Sequence, residues 1–190
     1  MTNDLFFDTD CLSSFLWIND TNILQALYAG KIVIPDPVYQ EMSNPCIPHI
    51  KKRGVLITDA MRASERKKRA DVLLDNNVAM VQHLDADKEE YKLYRDLLKG
   101  NLGGKAIGKG EASGIALAKV YGGILASNNY ADVAPYIEMY NLRHVDTGHI
   151  LLEAFEKGII TEQEGNDIWQ RMLDKNRKLP AASFTEYRRR

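Results

Sequence analysis

Cysteine is scarce in this chain, long apolar runs are absent, and neither sign of charge prevails. The two cysteines, Cys11 and Cys46, exclude a disulfide framework and a cysteine-based zinc site. No apolar stretch approaches the roughly 18 residues of a membrane span. The N-terminus lacks the basic region and apolar core of a secretory signal, so the expected setting is cytoplasmic, with no membrane partner. A net charge of −1 gives no global attraction to nucleic acid. The glycines between Gly103 and Gly110 form no Walker pattern, which argues against nucleoside-triphosphate use. His144 and His149 are five residues apart, not the spacing of a helical metal pair, and read as ordinary polar positions.

What is present is an ordinary globular mixture, 45% apolar and 27% charged over 190 residues, enough for one well-filled domain spanning 1–190. Five short apolar runs read as strands: Leu5 to Phe7, Ile32 to Ile34, Val78 to Val81, Gly123 to Ala126 and Leu142 to Val145. Helical patterns separate them. Cys11 to Trp17, Thr21 to Ala29, Val38 to Met42, Val55 to Leu74, Asp87 to Leu98, Ile150 to Glu156, Thr161 to Leu173 and Ser183 to Arg189 are the clearest. Glycines make Gly100 to Gly110 a loop. Strands alternating with helices predict a three-layer α/β/α domain with a mainly parallel five-stranded sheet, its site at the carboxyl edge of the strands.

Charge is unevenly spread. Lys51, Lys52, Arg53, Arg62, Arg66, Lys67, Lys68 and Arg69 crowd one segment against Asp59 and Glu65. A solvated helix face is the bland reading of that segment; phosphate contact with RNA is the sharper one. Few aromatics are interleaved with it, so base stacking by this segment is not expected.

Four isolated acids stand in marked places. Asp8 directly follows the first strand, Glu41 lies on the helix after the second, Glu111 opens a helix rich in tiny residues, and Asp132 follows the fourth strand. Gathered by folding, four carboxylates suit magnesium or manganese, hard cations that prefer oxygen ligands. Such a cluster repels itself when empty, and protonation at low pH removes its ligands. Each acid alone also has a structural reading. Asp8, Asp132 and above all Asp10 are candidate helix caps, Glu41 is an ordinary surface glutamate, and Glu111 complements a helix dipole.

At this point the chain resembles the PIN-domain ribonucleases. The residues carrying the resemblance are Phe7-Asp8-Thr9-Asp10-Cys11-Leu12, Ile32 through Glu41, Gly108 through Ala118, and Leu125-Ala126-Ser127-Asn128-Asn129-Tyr130-Ala131-Asp132-Val133. Asp146 through Ala154 and Lys157 through Thr161 are similar to the carboxyl-terminal half of one subgroup. Residues 45–104 match least and look like a family-atypical helical region. The resemblance implies that Asp8, Glu41, Glu111 and Asp132 are catalytic metal ligands for magnesium or manganese. It implies hydrolysis of RNA by water attack, leaving a 5′-phosphate and a 3′-hydroxyl. Thr9, Ser127 and Asn129 would orient a carboxylate or water, and Asp10 and Asp146 would add secondary negative charge. Many relatives carry aspartates where this chain has Asn128-Asn129, although another form of the motif has asparagine followed three residues later by aspartate, as Asn129 and Asp132 are. Small bacterial members act as toxins covered by a protein antitoxin, and homodimers are expected among them.

Two other classes compete. Asp8-Thr9-Asp10 is similar to the Asp-x-Asp of haloacid-dehalogenase-type phosphatases, but Cys11-Leu12 replaces their Gly-Thr, and Ser127-Asn128-Asn129 substitutes poorly for their later acidic motif. A receiver-like signalling domain fits worse in length and lacks the late lysine. A catalytically inactive PIN-like domain binding RNA or a protein partner is the remaining alternative.

Overall fold

A computed structural model of the chain describes residues 2–43, 57–101 and 105–190. Strands β1 (Leu5–Phe7), β2 (Ile32–Pro35), β3 (Ala79–Gln82), β4 (Ile124–Ala126) and β5 (Arg143–Val145) form one sheet in the order β3-β2-β1-β4-β5. Every pairing is parallel. The helices are α1 (Thr9–Ile18), α2 (Asn22–Tyr28), α3 (Asp36–Ser43), α4 (Ile57–Asp75), α5 (Glu89–Lys99), α6 (Lys109–Tyr121), α7 (Tyr130–Tyr140), α8 (Thr147–Glu156), α9 (Glu162–Asp174) and α10 (Phe184–Arg188).

Strands buried on both faces need unbroken apolar runs rather than alternation, which is what β1 and β2 supply. Leu5, Phe7, Ile32 and Ile34 enter one core with α1, α2, α3, α4, α8, α9 and α10. Phe6, Val33 and Leu125 enter a second core, covered by α5, α6 and α7. The result is three layers, α/β/α, as the alternation of elements predicts. The edge strands are more polar: Met80 of β3 and Arg143 of β5 are exposed.

The strands fall within one residue of their predicted bounds. Helix starts differ more, for chemical reasons. α1 begins at Thr9 because the Asp8 carboxylate caps it, accepting from the Cys11 amide at 2.7 Å. α8 begins three residues before Ile150 because Asp146 and His149 form a capping box around its first turn.

The topology fixes where a ligand belongs. The connections from β1 to β2 and from β2 to β3 pass over the first core, those from β3 to β4 and from β4 to β5 over the second. β1 and β4 are therefore neighbours whose crossovers leave toward opposite faces. The crevice outside their carboxyl ends is the switch point at which open parallel sheets bind ligands.

Candidate active site

Asp8 stands at that switch point. Its amide continues the β1–β4 ladder, donating to the Ala126 carbonyl at 2.9 Å. One carboxylate oxygen caps α1; the other, Oδ2, is buried without a hydrogen-bond partner, and the residue is 1% exposed. Burial pushes its pKa up to about 7, against the pull of the Ser127 hydroxyl and the Cys11 amide, and the charges of Glu111 and Asp10 push it further. An acid placed this way is ionised at neutral pH only against a large desolvation penalty, unless a cation comes to it.

Asp8, not Asp10, is thus the cap. Asp10 lies in the first turn of α1 and pairs with Arg177 at 3.1 Å. The cap falls on Asp8 rather than on Asp10, the stronger candidate from the sequence, because the extended backbone at Asp8 (φ −79°, ψ 169°) has the geometry an N-cap needs.

The other three acids gather around this point through short polar links. The Thr9 hydroxyl donates to Glu41 Oε2, bringing α3 to the start of α1. Glu111 lies in the first turn of α6 and adds to the negative field on Asp8. The Asn129 amide nitrogen donates to Glu111 Oε1 at 3.2 Å and to Asp132 Oδ2 at 2.7 Å. A single neutral amide, with two hydrogens to give, links two carboxylates that would otherwise repel each other. Asn129 is also the N-cap residue of α7, a place expected for Asp132, which sits within the first turn instead. Lys105 Nζ approaches Asp132 Oδ1 at 3.8 Å, a site neighbour that the sequence, with Lys105 inside a glycine-rich stretch, gave no reason to single out.

The Asn128-Asn129 pair divides its work. Asn128 donates to Ser14 Oγ at 3.2 Å and accepts from the Thr147 amide at 2.9 Å, tying the end of β4 to α1 and α8. Asn129 belongs to the acidic cluster. Ser127 supports Asn129, its hydroxyl accepting from the Asn129 backbone amide at 3.2 Å. Asp146 is committed elsewhere. It accepts from the His149 amide at 2.8 Å and from the Tyr187 hydroxyl at 3.1 Å, and lies 2.8 Å from the His149 ring Nδ1. Burial alone would raise its pKa, but the His149 contacts hold it below the usual carboxylate range.

The tiny residues of α6 let its first turns lie against the sheet. A Cβ on Gly114 would come within 2.9 Å of Leu125 Cδ1, and one on Gly110 within 2.8 Å of Thr9 Oγ1 and 3.3 Å of the Thr9 amide nitrogen. Gly110→Ala therefore drives Thr9 away from Glu41. The expected cost is about 1–3 kcal/mol, the range for overpacking a tight contact, measured as a lower urea midpoint at unchanged slope. A midpoint equal to the wild type would show that the contact relaxes freely.

Within the described part of the basic segment, several cations have partners in the fold. Lys51, Lys52 and Arg53 lie outside the described residues, as does the Arg62 side chain. Arg66 is buried, with its guanidinium 5.3 Å from the Trp17 ring centroid and donating to the Glu41 carbonyl at 3.4 Å. Arg69 donates to the carbonyls of Leu16 and Trp17 at the end of α1. Lys67 pairs with Asp71 at 2.8 Å and sits over Tyr39; Lys68 pairs with Glu65 at 3.2 Å. Arg66 and Arg69, three apart, share the inward stripe of α4 with Ala70 and Leu73, so their charge serves packing and helix termination.

An all-oxygen set of four acids suits a hard divalent cation, and the partnerless Asp8 Oδ2 is the group most in need of one. Among the described residues, however, no three His, Cys, Asp or Glu side chains are already arranged to hold a metal ion. Glu41, Glu111 and Asp132 are engaged instead by a hydroxyl, an amide and an ammonium. Among the described residues, no helix is long and apolar enough to cross a membrane. Compared with protein-family models and with curated proteins, the chain finds no match.

Proposed function

We propose that the chain is a PIN-like ribonuclease that hydrolyses RNA phosphodiester bonds with magnesium or manganese, with Asp8, Glu41, Glu111 and Asp132 as the residues that hold the metal. The observation that carries this reading is the buried, partnerless oxygen of Asp8 at the switch point, in the field of Glu111, with Glu41 held by the adjacent Thr9 and Asp132 tied to Glu111 through Asn129. Structural carboxylates are paired with cations or fully hydrogen-bonded; this one is neither.

When bound, the cation would activate a water, grip the scissile phosphate and neutralise charge on the leaving oxygen. The chain's own groups do the positioning. Asn129 holds Glu111 and Asp132 in register, and Thr9 holds Glu41. The Cys11 amide fixes one oxygen of the Asp8 carboxylate and leaves the other free. Water oxygen bonds to phosphorus, the bond from phosphorus to the 3′-oxygen breaks, and that oxygen takes up a proton, leaving a 5′-phosphate and a 3′-hydroxyl.

A second reading, an inactive PIN-like domain that binds RNA or a protein partner, is favoured by one observation. Both amide hydrogens of Asn129 are spent on the two acids, which lowers their hunger for a cation. A toxin role with an antitoxin over the acidic cleft belongs to the same proposal. Incubation of a clean preparation with an RNA pool and manganese separates the readings. We expect cleavage that disappears with chelator and in Glu111→Gln, and products carrying a 5′-phosphate. A preparation that neither binds manganese nor cuts any RNA would sink the enzyme reading.

A further inference from the structure

Two exposed side chains border the acidic cluster: Tyr130, next in the chain to Asn129, and Lys105, paired with Asp132. Tyr130 follows Asn129 directly and opens α7, yet it is 56% exposed, among the most exposed large apolar side chains of the described residues. Its ring leans on His144, with centroids 5.6 Å apart and planes at 48°. His144 is itself anchored, its Nε2 2.8 Å from the Ser127 carbonyl. The ring thus rests at a tilt against an anchored imidazole while more than half of the residue stays exposed. Burial lowers the pKa of His144 below the ordinary histidine value. Lys105, paired with Asp132 at 3.8 Å, has its side chain 84% exposed. A tyrosine that only packed would be buried, and one that only solubilised would not need a rigid backing.

We infer that Tyr130 is a stacking platform for an unpaired base of single-stranded RNA, with Lys105 holding a phosphate of the same strand beside Asp132. The inference rests on the ribonuclease reading for the site it serves, but it concerns recognition and is read independently of cleavage. An aromatic face takes any base, because every base has a π-surface, whereas a base within a duplex is already stacked and cannot reach it. The lysine supplies what the acidic cluster cannot, attraction for a polyanion at the edge of a negative field. The expected preference is therefore for unpaired RNA, with weak dependence on base identity.

Fluorescence anisotropy with a labelled 12-nucleotide RNA tests this, in calcium to keep the strand intact, alone and annealed to its complement. The expected result is tighter binding of the single strand. Tyr130→Ala should weaken it by about 5- to 150-fold, the range for loss of one stacked base. Tyr130→Phe should bind within about twofold of the wild type, and removing one base from the RNA should abolish the difference between wild type and Tyr130→Ala. Lys105→Ala should flatten the salt dependence by about one phosphate contact. Unchanged affinity in Tyr130→Ala, an equal loss in Tyr130→Phe, tighter binding of the duplex, or no binding of the single strand by the wild type would each overturn the inference. Cleavage that survives with Tyr130 irrelevant to affinity sinks the platform alone. Tyr130-dependent binding without cleavage sinks the nuclease reading alone.

Discussion

Asp8→Asn is expected to abolish manganese-dependent cleavage and, in chelator at pH 8, to raise the melting temperature. The two effects have one origin. Asp8 is fully enclosed, and its Oδ2 has no partner. Burial is the main reason its pKa is pushed up to about 7 from 3.8. A carboxyl whose folded pKa lies above its unfolded value contributes most to stability below pH ~4, and that contribution is lost as the pH climbs through ~7. The ionised folded protein therefore carries a penalty of about 4 kcal/mol above pH 7. Asparagine keeps the acceptor for the Cys11 amide and cannot ionise, so the variant escapes the penalty. In a chain of this size the gain amounts to about 10 °C at pH 8 and vanishes near pH 4. Differential scanning calorimetry of both proteins across that range measures it. A lower melting temperature for the variant at pH 8, or a difference independent of pH, would show that Asp8 is satisfied without a cation.

Trp169→Ala should cost about 3–5 kcal/mol, the range for emptying a large aromatic site, out of a total that seldom exceeds about 15 kcal/mol. Trp169 is 1% exposed. Its indole packs against the rings of Phe184 and Tyr187, and its Nε1 donates to the Ala181 carbonyl at 3.1 Å. It thereby fastens α10 to α9. The same core holds β1, α1 and the C-terminal helices, so denaturant unfolding should remain one transition, shifted to lower urea. Two resolved transitions would mean that the C-terminal helices melt apart from the sheet. Trp169→Phe, which keeps most of the volume, should recover at least half of the loss.

How legible was all this in the residues? The sheet was plain because buried parallel strands admit little but apolar side chains, and Leu5-Phe6-Phe7 and Ile32-Val33-Ile34 have no other good use. Asp8 was visible because it ends such a run. The acid cluster's internal wiring was not. Nothing in spacing says that Asn129 spends both hydrogens on Glu111 and Asp132 while Asn128, its neighbour, turns to α1 and α8; that depends on how two helices meet one strand end. The packing of Arg66 and Arg69 was hidden for a related reason. A guanidinium that stacks on Trp17 and one that closes α1 read, in one dimension, like any run of solvated charge. Lys105 and Tyr130 were missed because single exposed residues carry no pattern at all.

The central position of β1 has a consequence for the protein's birth. Its two neighbours, β2 and β4, come from residues 32–35 and 124–126, so one edge of the first strand made has to wait for a partner encoded more than a hundred residues later. Such distant pairing makes folding slow and leaves the edge exposed to wrong partners during synthesis. For a ribonuclease such a delay would be protective, because the acidic cluster stays incomplete until β4 and α7 have joined β1.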